Sequence, residues 1–190
     1  MMRRIAGLAA LVVAMPILQG CFPLAVTGMG AAALMATDRR TTGTYIDDEG
    51  IEWKVIARLR EDSRGAHVNA TSYNKRVLLT GEAPTMDEKK RIEDVVKTIP
   101  NVRDVANEIT VGNVSTFAAR GNDALITSNV KARMVNNGKF SPSHVKVITE
   151  ANVVYLMGLV TAEEAEAAAD VARTTQGASS VVKVFEYVAK

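Results

Sequence analysis

Few residues in this chain could do covalent or acid–base chemistry, and each stands apart from the partners it would need. Cys21 is the only thiol among 190 residues. It could act as a nucleophile or an acyl acceptor, but one Cys excludes an intramolecular disulfide framework and a cysteine-based zinc cluster. His67 and His144 are the only imidazoles. A metal pair or a pH sensor would need more, and no carboxylate or Cys stands at ligand spacing from either. Ser115, Ser128 and Ser141 sit in no nucleophile motif and have no evident activating base. Gly28-Met29-Gly30 lacks the strand and helix context of a phosphate loop. Asp47-Asp48-Glu49 could attract a cation weakly, but three consecutive acids read more simply as a solvated charge run. The expectation is therefore a non-enzymatic protein with no catalytic residue, no cofactor and no metal.

The surroundings of Cys21 give it a different role. Met1-Met2-Arg3-Arg4 precedes an apolar run from Ile5 through Leu18, the charged n-region and apolar h-region of a secretory signal. The run ends Leu18-Gln19-Gly20-Cys21, with a small residue just before the Cys and Leu three positions upstream. This resembles the bacterial lipobox. The resemblance implies that residues 1–20 are a cleaved lipoprotein signal peptide. It also implies that Cys21 carries diacylglycerol on its thiol and an acyl chain such as palmitate on its new amino group. Phe22 follows instead of Asp, which in that class implies sorting to the inner leaflet of the outer membrane. No apolar run reaches the roughly 18 residues of a likely membrane span. Taking Arg3 and Arg4 from the 23 bases leaves 21, against 21 acids, so the mature chain is formally neutral. That balance argues against nucleic acid as a partner, and against any attraction to an anionic surface that is not local.

Residues 22–37 are uncharged and rich in Gly and Ala. They suit either the membrane surface or packing on the protein. Residues 38–49 turn polar and read as a linker, so 21–45 is taken as lipidated Cys plus tether. Past residue 50 an internal repeat emerges. His67-Val68-Asn69-Ala70-Thr71 aligns with His144-Val145-Lys146-Val147-Ile148, and Val77–Gly81 with Val154–Gly158, both at an offset of 77. Ala57-Arg58-Leu59 aligns with Ala132-Arg133-Met134 at 75, and Thr85-x-x-Glu88 with Thr161-x-x-Glu164 at 76. Each copy reads as a helix (50–62; 122–138), two strands (67–73 and 76–82; 144–149 and 153–160), a second helix (86–98; 162–175) and a third strand (102–111; 180–188). The second strands are nearly all apolar and should be central, and both Thr-x-x-Glu pairs are capping boxes. The fold expected is α+β: two tandem α-β-β-α-β domains, at 46–113 and 118–190. Each has a three-stranded mixed sheet with two helices on one face, and each helps to bury the other's open sheet face.

The order of these parts is similar to the dual-BON-domain outer-membrane lipoproteins. The residues that carry the resemblance are Leu18–Cys21, Thr37–Gly43, Val77–Gly81, Asn122–Val130, Val145–Thr149 and Val154–Thr161. The likeness implies a lipid-anchored protein on the periplasmic face of the outer membrane. Such a protein binds anionic phospholipid (phosphatidylglycerol, cardiolipin) mainly through its second BON domain and supports envelope integrity. It also implies an association with division sites and with the β-barrel assembly machinery.

The first helix of the second copy is the best candidate for the lipid site. At 100° per residue, Ile126, Val130 and Met134 mark its core side. Leu125, Ala132 and Val135 fall roughly opposite, around Ser128, with Lys131 and Lys139 at the rim. Arg133 is also a candidate, although the same geometry turns it toward the core side. The competing expectation is that these residues pack on the first copy. Related proteins often carry Trp where this chain has Leu125, so an interfacial anchor of the strongest type is missing there. Trp53 lies off the apolar face of its own helix, which suits either the interface between copies or lipid. A second functional reading is an interaction or chaperone-like factor for outer-membrane barrel assembly, whose open strand edges pair with a client strand.

Overall fold

The computed structural model describes residues 38–62 and 65–189. The first unit runs α1 (Thr42–Asp62), β1 (His67–Tyr73), β2 (Arg76–Ala83), α2 (Met86–Lys97), β3 (Asp104–Asn107) and β4 (Thr110–Val111). The second runs α3 (Phe117–Val135), a 3-10 turn (Pro142–His144), β5 (Val145–Glu150), β6 (Val153–Val160), α4 (Ala162–Arg173) and β7 (Ser180–Tyr187). β2 and β6 are central. Each pairs antiparallel with the strand before it and parallel with the strand after the crossover helix.

Strand alternation explains the layering. Val77, Leu79 and Ala83 of β2 meet Ile51, Val55 and Leu59 of α1 and Ile92 and Val96 of α2 in one core. Val154, Leu156 and Val160 of β6 meet Ile126, Val130 and Met134 of α3 and the alanines of α4 in a second. The opposite faces of the two sheets meet each other: Tyr73 and Leu78 pack with Tyr155, Met157 and Val184. The central strands are apolar on both faces because both faces are covered. The layers run helices, sheet, sheet, helices, so the helix pairs of the two units lie on opposite outer sides.

Some boundaries differ from the sequence reading. α1 begins at Thr42, where the sequence suggested a linker up to residue 49. Thr41 starts it, its Oγ1 accepting from the Thr44 N–H at 3.1 Å. α3 spans 117–135 instead of 122–138. Thr116 caps its start, and Gly138, at φ +69°, lies beyond its end. The third strand of the first unit is interrupted at residues 108–109, opposite Thr80-Gly81, where Gly81 has φ +114°. The Thr161–Glu164 capping box is complete. At Thr85 only half forms, because the Glu88 carboxylate turns to Arg91 instead.

The two hairpins share one construction. Asn74-Lys75 and Ala151-Asn152 have positive φ at both turn positions, the two-residue type I′ geometry that suits strand twist. Such a turn leaves its N–H groups pointing inward, and a buried Asp on the first helix receives them. Asp123 accepts from the Ala151 and Asn152 N–H groups at 3.0 and 2.8 Å. Asp48 accepts from the Asn74 and Lys75 N–H groups at 2.8 and 2.7 Å, and also from Ser72 Oγ and Arg40. The acidic run 47–49 is therefore not a solvated cluster, since its middle member is 2% exposed. The repeated glycines also have a steric cause. A Cβ on Gly81 would sit 2.0 Å from the His67 carbonyl oxygen, and one on Gly158 2.2 Å from that of His144.

Asp38–Thr41 clips the two units together. The Arg39 guanidinium donates to the Leu159 carbonyl at 2.8 Å and to Glu164 Oε1 at 3.0 Å, both in the second unit. Arg40 pairs with Asp38 and Asp48 and lies 4.0 Å over the Tyr73 ring of the first unit. Burial alone would raise the Glu164 carboxyl. The Arg39 guanidinium and the Thr161 N–H outweigh it and hold the group at about 2. A depressed carboxylate stabilises the fold fully above its unfolded value, near 4.5, and loses that contribution as pH falls toward 2. Glu164→Gln keeps a side chain able to cap α4. We expect its urea midpoint to fall less steeply than that of the wild type between pH 4.5 and 2. Parallel curves would show that the clip carries no pH-dependent stability.

Candidate lipid-facing site

α3 carries apolar residues on two sides. Its inner side fills the core through Ile126, Val130 and Met134. Its outer side exposes Leu125 (65%) and Val135 (66%), with Ser128, Ala132 and Lys131 also exposed and Lys139 just beyond the helix. The exposure of Leu125, Ala132 and Val135 overturns the competing expectation that they are buried against the first unit.

One residue of this face was missed. Phe117, 87% exposed, stands at the first position of α3. Eighteen residues at 1.5 Å bring Val135 back to the same angular position about 27 Å away. Gly121, Ala124 and Ser128 lie between them without a charge. The aromatic absent at Leu125 is thus present two turns earlier. The sequence signal was the Thr116 N-cap, whose Oγ1 accepts from the Ala119 N–H at 3.2 Å.

Arg133 belongs elsewhere. Its guanidinium donates to the Val171 carbonyl at 3.0 Å, to Thr175 Oγ1 at 2.6 Å and to Thr174 Oγ1 at 2.8 Å, closing the end of α4. It is removed from the rim for that reason. Of the three candidate cations, all of them exposed, Lys131 and Lys139 remain at the rim. Ser128 donates its hydroxyl proton to the Ala124 carbonyl at 2.9 Å and contributes smallness more than polarity.

Trp53, 70% exposed with Ile46 beside it on the outer face of α1, does not fill the seam between the units. The layers place α1 and α3 on opposite outer sides of the two sheets. The lipidation residue Cys21 and the signal peptide lie outside the described residues.

The BON-domain profile matches residues 47–113 and 122–189. The chain is 42% identical over 184 residues to the outer membrane lipoprotein DolP of Haemophilus influenzae, covering 95% of each chain. It is 36% identical over 154 residues to a 21 kDa hemolysin of Actinobacillus pleuropneumoniae, covering 80% of this chain and 79% of that one. It is 25% identical over 160 residues to the osmotically-inducible protein Y of Escherichia coli, covering 82% and 80%.

Proposed function

Since the chain belongs to the BON-domain family, as a two-unit outer-membrane lipoprotein, we propose that its work is to hold the outer face of α3 against anionic phospholipid headgroups. The observation that carries this is the uncharged face of Phe117, Leu125, Ala132 and Val135, exposed along the whole helix and rimmed by Lys131 and Lys139. An apolar stripe of this kind on a helix that already supplies a core with its other side is not needed for folding. Each base near an anionic leaflet adds about 1 kcal/mol of attraction. The protein is non-enzymatic, lies on the periplasmic side of the outer membrane, and supports envelope integrity. Lipid on Cys21 supplies residence at the surface, and α3 supplies selectivity by working at the raised local concentration that a tether provides. Domain limits of 46–113 and 118–190 belong to the same proposal, with the first extended back to Asp38 by the clip.

A second reading keeps the barrel-assembly machinery as partner. β1 and β5 each bond a neighbour on one side only, so each sheet has an open edge that a client strand could extend.

Leu125→Glu in a chain without lipid on Cys21 is the decisive test. Burying a Leu stabilises by about 1.5–3 kcal/mol, so co-sedimentation with phosphatidylglycerol vesicles should fall at least about tenfold. The unfolding midpoint should not change, because the side chain is exposed. Unchanged co-sedimentation would remove α3 as the lipid face. A parallel loss of pull-down by a barrel-assembly component, with lipid binding intact, would favour the second reading.

A further inference from the structure

The two histidines occupy equivalent places in the repeat, but their surroundings differ. At one end of the seam Tyr73 stands at the end of β1, its hydroxyl 3.5 Å from the His144 carbonyl. At the other end, the residue at the offset of 77 from Tyr73 is Glu150, at the end of β5. Likewise Leu159 of the second unit corresponds to Glu82 of the first. Duplication accounts for the pair of histidines. It does not account for two carboxylates at only one of them.

Those carboxylates converge on His67. His67 and Glu82 are directly opposed across β1 and β2. His67 Nδ1 and Glu82 Oε2 lie 3.3 Å apart. Both atoms are buried, and neither makes a hydrogen bond. Glu150 enters from the second sheet, and one ligand atom from each of the three residues falls within 4.8 Å of the others. Glu82 and Glu150 are each 6% exposed, and neither forms an ion pair with Lys or Arg among the described residues. The groups that hydrogen-bond Glu150 are neutral and oriented: the Asn69 amide donates to its Oε2 at 2.9 Å, and Thr80 Oγ1 donates to it at 3.3 Å. Two grooves, of about 630 and 500 Å³, both reach His67, Asn69 and Glu150, so the cluster is open to entry.

We propose that His67, Glu82 and Glu150 bind one divalent transition-metal ion of the zinc type at the seam between the units. Imidazole with carboxylates selects such ions over calcium or magnesium, which prefer all-oxygen shells. Bonds of 2.0–2.2 Å set a tetrahedral edge of about 3.4 Å. The Nδ1 to Oε2 separation already has that length, and Glu150 needs only a side-chain adjustment. Asn69 and Thr80 act as the outer partners that orient a ligating carboxylate. The ligands come from both units, so the ion would also fasten one sheet to the other.

The test is calorimetric titration of the untagged, lipidated protein in detergent with zinc chloride. One saturable site is expected, weakened at least about tenfold by His67→Ala and by Glu150→Gln and unchanged by His144→Ala. The thermal midpoint of the wild type should rise with zinc and not with calcium or magnesium. Glu150→Gln is nearly isosteric, so it carries the test if His67→Ala does not fold. X-ray absorption of the zinc-loaded wild type should show one imidazole among oxygen donors. Absence of saturable heat, a His67→Ala protein that binds as the wild type does, or two imidazoles on the metal would each overturn the proposal.

Discussion

Asp48→Ala is expected to destabilise the protein by about 3–5 kcal/mol, the range for breaking a buried charged network from one side. Its carboxylate accepts four hydrogen bonds, from Ser72 Oγ, the Asn74 and Lys75 N–H groups and Arg40, all between 2.7 and 2.9 Å. Four donors fill the acceptor capacity of a carboxylate. Removing it leaves two inward-facing N–H groups without a partner and takes from the Arg40 guanidinium, whose side chain is 7% exposed, one of its two carboxylates, leaving only Asp38. Asn is no substitute, because its amide nitrogen would face donors. Asp123→Ala removes a simpler version of the same device, two N–H acceptors and no cation, and should cost about 2–3 kcal/mol. Urea denaturation measures both. A loss below about 1 kcal/mol for Asp48→Ala would mean that water takes over the turn.

Cys21→Ser should move the protein from the membrane fraction to the soluble one. For this comparison the variant is exported on a signal peptide that is cut without lipidation. Sulfur is the acceptor atom, and each buried methylene of an acyl chain contributes about 0.8 kcal/mol, so loss of the chains is close to all-or-none. No described helix is long and apolar enough to cross a membrane. The α3 face would act alone, from a chain whose mature charge sums to zero. Retention of the Ser variant after a carbonate wash would overturn the anchor.

Much of the fold was legible because its signals are local. The apolar second strands and the Thr-x-x-Glu starts of α2 and α4 each lie within a few residues, and the repeat matches short segments of that kind with one another. α1 was cut short because Gly43, Gly50 and three acids mask its first two turns, and what fixes those turns is remote: Asp48 reaches a hairpin 26 residues on. The repeat did carry a hint, since the offset of 75 that aligns Ala57 with Ala132 also aligns Asp48 with Asp123. At the candidate site, Leu125, Ala132 and Val135 followed from helical geometry alone. Arg133 went astray because its acceptors sit at the end of α4, some 40 residues away in sequence. Phe117 was lost with the start of α3. The convergence of Glu82 and Glu150 on His67 needs strand pairing and the meeting of two sheets, which no spacing in the chain displays.

The clip at Arg39 and Arg40 has a mechanical side. With lipid on Cys21, as proposed above, the residues from Cys21 to Asp38 would connect anchor to folded body, a reach of at most about 60 Å. Any tension along that leash arrives first at two neighbouring guanidinium groups, one held by the second unit and the next by the first. The load is divided between both units at once, and a tug from the membrane draws on the joint between them instead of unravelling α1 from its free end.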